Sequence, residues 1–199
     1  MQKIVSLFQR NYDGDHLVRP EVVPGSEWVL AGEGTPTRKL DGSCCMVRDG
    51  KLYKRCEIKK GGRSPAGFEP AADQDPVTGK QQGWLPVGDG AEDKWHRAAW
   101  EACEKRGLPD GTYELVGPNV QGNPEQLDQH QLVPHGCEAL PDCPFPQWFE
   151  GECQAEGFFA EVKAYLAAHD IEGIVWHHPD GRLVKIKGRD FGLKRPKGA

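Results

Sequence analysis

Apolar positions at the start of the chain fall in short stretches broken by Pro20, Pro24, Gly25, Gly32, Gly34 and Pro36, and Ser26-Glu27-Trp28-Val29-Leu30 is the segment there that reads as a strand. Cys44-Cys45-Met46-Val47 and Leu52-Tyr53-Lys54 are two β-prone runs on either side of Asp49-Gly50. That pair predicts a hairpin, because both central residues of the favoured two-residue turn need positive φ. Residues 60–90, rich in Gly, Pro, Asp and Gln with Trp84 as a large anchor, read as a loop. Helical spacing of Trp95, Ala98, Ala99, Ala102 and Cys103 predicts a helix from Ala91 to Arg106, stopped by Gly107. Thr112 to Val116 reads as a strand and residues 118–154 as irregular. Phe158, Phe159, Val162, Tyr165 and Leu166 mark a second amphipathic helix. Ile171 to Trp176 and Leu183 to Ile186 flank Pro179-Asp180-Gly181 and predict a second hairpin.

Composition narrows the class. The chain has 199 residues, with Gly 25 and Pro 16, which favours a turn-rich fold with sheets over a helical bundle. Its 37% hydrophobic and 28% charged residues are enough for a packed core and argue against global disorder. No apolar run approaches the roughly 18 residues of a membrane span, and Met1-Gln2-Lys3-Ile4-Val5 lacks a signal-peptide core. Seven cysteines, an odd number, suit free thiols in a reducing compartment better than a disulfide framework, so the expectation is a cytoplasmic protein. The formal net charge of −5 conceals an uneven distribution. Residues 38–63 carry nine Lys/Arg and three Asp/Glu, a net of +6, and residues 182–199 carry seven basic residues and Asp190, again +6. The rest must then hold −5 − 12 = −17. Two basic islands in an acidic body suit a local polyanion such as phosphates, with solvated Lys-rich strands as the alternative.

Four features carry candidate chemistry. Lys39-Leu40-Asp41-Gly42 places a lysine before a turn that enters the first hairpin. Tyr113-Glu114-Leu115-Val116-Gly117 sets a carboxylate within a strand, where an ordinary exposed Glu is the alternative. Ile171-Glu172-Gly173-Ile174-Val175 puts an acidic group in an apolar β run, which is costly to bury without a cation or donors. In Leu183-Val184-Lys185-Ile186-Lys187, strand alternation sends both lysines to one face and Val184 and Ile186 to the other. Two ammonium groups on one face repel unless an anion lies between them. His135, Cys137, Cys143 and Cys153 offer four zinc-ligand types in irregular spacing, with reduced thiols as the default. Cys44 and Cys45, adjacent on a strand, face opposite sides.

In this order, Lys-x-Asp-Gly, a strand Glu, Glu-Gly-Ile-Val and Lys-Ile-Lys resemble motifs I, III, IV and V of the covalent nucleotidyltransferases, the superfamily of ATP-dependent DNA ligases, RNA ligases and capping guanylyltransferases. The resemblance spans residues 38–187. Lys39-Leu40-Asp41-Gly42-Ser43-Cys44-Cys45 and Lys187-Gly188-Arg189-Asp190-Phe191-Gly192 look most like a compact ATP-dependent RNA ligase family of vertebrates and bacteria. The resemblance implies a single α+β nucleotidyltransferase domain (ATP-grasp-like ligase) over residues 1–199: two antiparallel β-sheets flanked by helices, a nucleotide pocket between the sheets, and no OB-fold domain. Residues 1–36 would supply an N-terminal arm and the first strands.

The same resemblance assigns roles. Lys39 would be the nucleophile that takes AMP from ATP, with Lys185 and Lys187 around the α-phosphate. An unperturbed lysine has a pKa of about 10.4, and neighbouring cations and desolvation lower it toward the neutral amine that attack requires. Asp41 and Glu172 would hold Mg²⁺, with Mn²⁺ as a substitute. Gly42, Arg55 and Glu114 would line the nucleotide site, Glu114 at the ribose and Arg55 at the ribose or phosphates. Many RNA ligases have Glu directly before the lysine, and here Arg38 stands there. Phe145, Trp148 and Phe149 are the candidates for stacking on the base. The partner implied is RNA with 5′-phosphate and 3′-hydroxyl ends, with no membrane and no obligate protein partner. The rivals are DNA nick sealing or cap guanylylation on the same scaffold, against which the short tail after Lys187 argues, and a non-catalytic nucleotide- or RNA-binding module.

Overall fold

The computed structural model describes residues 4–104, 107–144 and 154–195. Its strands are β1 (Val5–Ser6), β2 (Phe8–Arg10), β3 (Val18–Val22), β4 (Thr35–Lys39), β5 (Ser43–Arg48), β6 (Lys51–Ile58), β7 (Glu69–Pro70), β8 (Gln81–Pro86), β9 (Gly111–Val116), β10 (Gln131–Pro134), β11 (Gly173–His177) and β12 (Leu183–Lys187), and its helices are α1 (Lys94–Glu104) and α2 (Gln154–Ala168). The class is α+β. The chain divides into two compact units: a continuous one, Asp41–His135, and a split one that joins Ile4–Leu40 to the residues from Gly136 onward. None of the described helices is long and apolar enough to cross a membrane.

The continuous unit is a six-stranded antiparallel sheet in the order β10-β9-β5-β6-β8-β7. The Asp49-Gly50 hairpin forms as predicted: Arg48 pairs with Lys51, and φ is 51° at Asp49 and 68° at Gly50. Alternation buries Cys45, Val47, Tyr113 and Leu115 on one face with Ala99 of α1, and Trp95, Trp100 and Cys103 pack against that cluster. Helix α1 starts at Lys94, preceded by a 3-10 turn at Ala91–Asp93, rather than at Ala91 itself.

The split unit holds a four-stranded sheet, β1-β12-β11-β4, and the β2–β3 pair. β11 and β12 form the second predicted hairpin. β11 also pairs antiparallel with β4, while β1 lies parallel to β12, so this sheet is mixed rather than wholly antiparallel. Ile174, Ile186, Val184 and Trp176 turn one sheet face toward Phe158, Val162 and Leu166 of α2, and Leu7, Phe8 and Phe191 complete the core.

Three expectations are corrected. Ser26–Leu30 is not a strand: Glu27–Val29 form a 3-10 turn closed by Val29 N–H donating to the Ser26 carbonyl, with Trp28 and Val29 buried. Residues 60–90 are not only loop, because β8 pairs along the extended second half of β6 and β7 adds to β8. Residues 118–154 include β10, which pairs with β9.

Candidate functional site

Strand register assembles the first group of residues. Lys39, Gly173 and Lys187 are direct neighbours across β4, β11 and β12. The middle position must be small: a Cβ on Gly173 would stand 2.1 Å from the Ile186 carbonyl oxygen and 2.9 Å from Lys187 Cα. Glu172 immediately precedes it, and its carbonyl accepts from Gly188 N–H at 3.0 Å. From this anchored position its carboxylate reaches both flanking lysines. Lys39 Nζ donates to Oε2 at 2.5 Å and also to the Leu40 carbonyl at 3.2 Å, while Lys187 Nζ donates to Oε1. The side chains of Lys39, Lys187 and Glu172 are 19%, 13% and 11% exposed, so these are largely desolvated charges rather than surface ion pairs. Glu172 therefore lies just before β11, not within it, and its cations are the lysines of the neighbouring strands.

Lys185 shares the lysine face of β12, aligned with Val175 and Thr37, while Val184 and Ile186 are buried on the other face, as alternation predicts. Burial, with the charges of Lys187 and Lys39, lowers the Lys185 pKa to about 8. Lys187 is lowered by burial and by Lys39. Burial raises the Glu172 pKa, yet the ammonium groups of Lys39 and Lys187 outweigh it and hold the carboxyl below its ordinary value. The end of β12 is fixed by Asp190, a buried carboxylate that accepts from Lys187 N–H at 3.0 Å and pairs with Arg10. Three ammonium groups and one carboxylate leave a net charge of 3 − 1 = +2 on this strand cluster, which suits a polyphosphate.

The continuous unit gathers the second group. Gly42 N–H donates to Glu114 Oε1 at 3.1 Å, and Asp41 N–H donates to Glu125 at 3.0 Å. Gly42 has to be glycine, since a Cβ would meet the Leu115 carbonyl oxygen at 2.1 Å. Glu114 is buried, and its Oε2 lies 2.8 Å from His135 Nε2. Arg55 lies over the Trp84 ring, 5.0 Å from its centre, and its Nε donates to Gln82 at 2.9 Å. Burial lowers the Arg55 pKa.

The structure thus brings together Lys39, Glu172, Lys185 and Lys187 in the split unit, and Gly42, Glu114 and their partners in the continuous one. Asp41 and Glu172, expected to share a metal, belong to different units. Sequence reasoning missed Glu125, in the turns between β9 and β10, and the pairing of His135 with Glu114, because nothing in the sequence announced the turn contact or the β9–β10 register. Arg38, one residue before Lys39, pairs with Glu138 at 3.4 Å. The aromatic candidates Phe145, Trp148 and Phe149 lie outside the described residues, as does Cys153. Among the described residues, the His/Cys/Asp/Glu group close enough for a metal is Cys44, Glu114 and His135, not His135 with Cys137 and Cys143.

A strand-borne lysine clamped by a carboxylate, beside two further strand lysines, fits the covalent nucleotidyltransferase superfamily. Comparison with known proteins shows a partial likeness to RNA ligases. Residues 101–199 match the model of the RNA ligase 1 family. The chain is 42% identical over 100 residues to RNA ligase 1 of Danio rerio, covering 45% of this chain and 26% of that protein. To RNA ligase 1 of Pongo abelii it is 38% identical over 100 residues, with the same coverages. To that of Mus musculus it is 30% identical over 148 residues, covering 57% of this chain and 41% of the relative. The chain shares this stretch with an RNA ligase family, and its match spans about a quarter to two-fifths of the length of these relatives. The family-model match includes Glu114, Glu172, Lys185 and Lys187, whereas Lys39, Asp41, Gly42 and Arg55 precede it.

Proposed function

We propose that this chain is the nucleotidyl-transfer part of an ATP-dependent RNA ligase. The observation that carries the reading is the Lys39–Glu172–Lys187 register with Lys185 on the same strand face. The Lys39 amine, once neutral, attacks the α-phosphorus of ATP. A P–N bond forms, the bond to the pyrophosphate oxygen breaks, and the amine proton leaves. Lys185 and Lys187 balance charge on the phosphates as it builds, which is the larger contribution in such transfers. Glu172 orients Lys39 through its hydrogen bond and keeps it from swinging to solvent. An RNA 5′-phosphate oxygen then attacks the lysyl-AMP phosphorus and releases the lysine. Finally the RNA 3′-hydroxyl attacks the activated 5′-phosphate, a phosphodiester forms and AMP leaves.

Mg²⁺ fits as an ion that arrives with the nucleotide. Both oxygens of Glu172 hold ammonium groups, so the carboxylate becomes available to a metal only once incoming phosphates draw a lysine away. Glu172 would hold it, and bound there it would neutralise the leaving pyrophosphate. Glu114, buried and polarised by Gly42 N–H and His135, and Arg55 are the residues for the ribose.

The test is intact mass after incubation with Mg²⁺ and ATP, in parallel with GTP. A single AMP adduct with ATP, absent from Lys39→Ala, is expected. A GMP adduct instead would favour a capping-type transferase, and no adduct from folded, nucleotide-free protein would overturn catalysis and leave a binding module.

A further inference from the structure

Beside Glu114, assigned above to the ribose, stand two side chains that take no step in the transfer chemistry, Cys44 and His135. Cys44 on β5 and Glu114 on β9 are direct cross-strand partners. Their sequence neighbours Cys45, Tyr113 and Leu115 fill the core, so Cys44 and Glu114 lie on the opposite face of the sheet. His135 follows β10, and its N–H donates to the Thr112 carbonyl at 3.1 Å, which returns the ring to Glu114. A sulfur, a carboxylate oxygen and a ring nitrogen of these three residues lie within 4.8 Å of one another. His135 Nδ1 is buried and has no hydrogen-bond partner, and an unsatisfied buried nitrogen calls for an ion or a water.

We infer that Cys44, Glu114 and His135 form a binding site for one thiophilic divalent cation of the zinc class. A tetrahedral zinc with bonds of about 2.0–2.3 Å holds its ligands roughly 3.3–3.8 Å apart, so side-chain rotations of about an ångström close the site. Two ligands come from adjacent strands and the third from the residue directly after the next strand of the same sheet, which sets their directions in advance, and water completes the fourth position. Thiolate and imidazole select zinc over magnesium, which prefers oxygen alone. Binding releases the Cys44 thiol proton. The nearby Arg55 guanidinium, which interacts electrostatically with Cys44, is the kind of cationic neighbour that favours a thiolate ligand. The inference concerns the continuous unit alone and requires no step of the nucleotidyl-transfer reading.

Cobalt(II) titration of the full, reduced chain tests it. One equivalent should give an intense near-ultraviolet thiolate-to-metal band, displaced by one equivalent of Zn²⁺. Cys44→Ser should abolish the band, and His135→Gln should weaken affinity by about tenfold or more. Cys137→Ser, which alters an exposed thiol, should leave it unchanged. Circular dichroism confirms that each variant is folded. A band that survives Cys44→Ser, a band lost with Cys137→Ser, or no band in the wild type overturns the site.

Discussion

Burial and the neighbouring charges of Lys187 and Lys39 bring the Lys185 pKa from the usual 10.5 to about 8. That depression has a sign that stability measurements can read. Below about pH 8 both folded and unfolded chains carry the Lys185 charge, and the folded state bears the full penalty of holding it. Between about 8 and 10.5 the unfolded chain binds a proton that the folded chain has released, so stability rises with pH through that window. Lys185→Met keeps the apolar stem and removes the charge. It should therefore stabilise the ligand-free protein at pH 7 by about 1–2 kcal/mol, less than the full shift implies because the group is only partly buried. Urea unfolding of the pair of proteins at pH 7 and at pH 10.5 checks this: the advantage should be present at the first and gone at the second. The same variant should lose ATP-dependent thermal stabilisation, since the strain that Lys185 brings to the empty site is what an incoming phosphate relieves.

At the scale of elements, the site depends on strand register more than on any one side chain. Gly173 lets β11 and β12 approach until Lys39 and Lys187 can share one carboxylate. Gly173→Ala, whose Cβ would meet the Ile186 carbonyl oxygen at 2.1 Å, must push β12 away. It should cost about 1–3 kcal/mol of stability and reduce lysyl-AMP formation at least tenfold, even where circular dichroism shows the fold intact. Unaltered adduct yield in that variant would show that register does not set the chemistry. Much of this was legible in the sequence because it is local: the Asp49-Gly50 turn, the alternation of Val184-Lys185-Ile186-Lys187, and the spacing of Phe158, Val162 and Leu166 each declare their element alone. What was hidden is pairing over distance. β8 reads as loop because its stretch is rich in Gly, Pro, Asp and Gln, yet a Cβ on its Gly83 would meet Phe68 Cζ at 2.3 Å and the Glu69 carbonyl oxygen at 2.4 Å, so the glycine is what allows β7 to close on it. β1 is two residues long and parallel to β12, too short to declare itself in any pattern. Residues 26–30 have strand-like composition, but the 3-10 turn buries both Trp28 and Val29, which alternation in a strand would not do. The cation partners of Glu172 were anticipated as a need, while the identity of both lysines awaited the β4–β11–β12 order.

Over the whole molecule, the two basic stretches have different characters. The lysines of residues 182–187 are engaged with Glu172 and with each other, which suits the few phosphates of a nucleotide. Within residues 38–63, Lys59 and Lys60 are exposed, beyond the end of β6. Charges there can hold the backbone of a longer polyanion. On the RNA ligase reading they should contribute phosphate contacts to RNA. For single strands the logarithm of affinity falls with the logarithm of salt by about 0.7 per phosphate neutralised. The double substitution Lys59→Glu, Lys60→Glu should therefore weaken binding of a 5′-phosphorylated RNA and shrink the salt slope by about 1.4. Intact-mass detection of the AMP adduct should be unchanged, because the proposed step draws on ATP, Mg²⁺ and the strand lysines. Fluorescence anisotropy across 50–200 mM salt gives the slope. An unchanged slope with unchanged affinity would move the RNA contact away from residues 59 and 60, and a lost adduct would tie this stretch to nucleotide transfer instead.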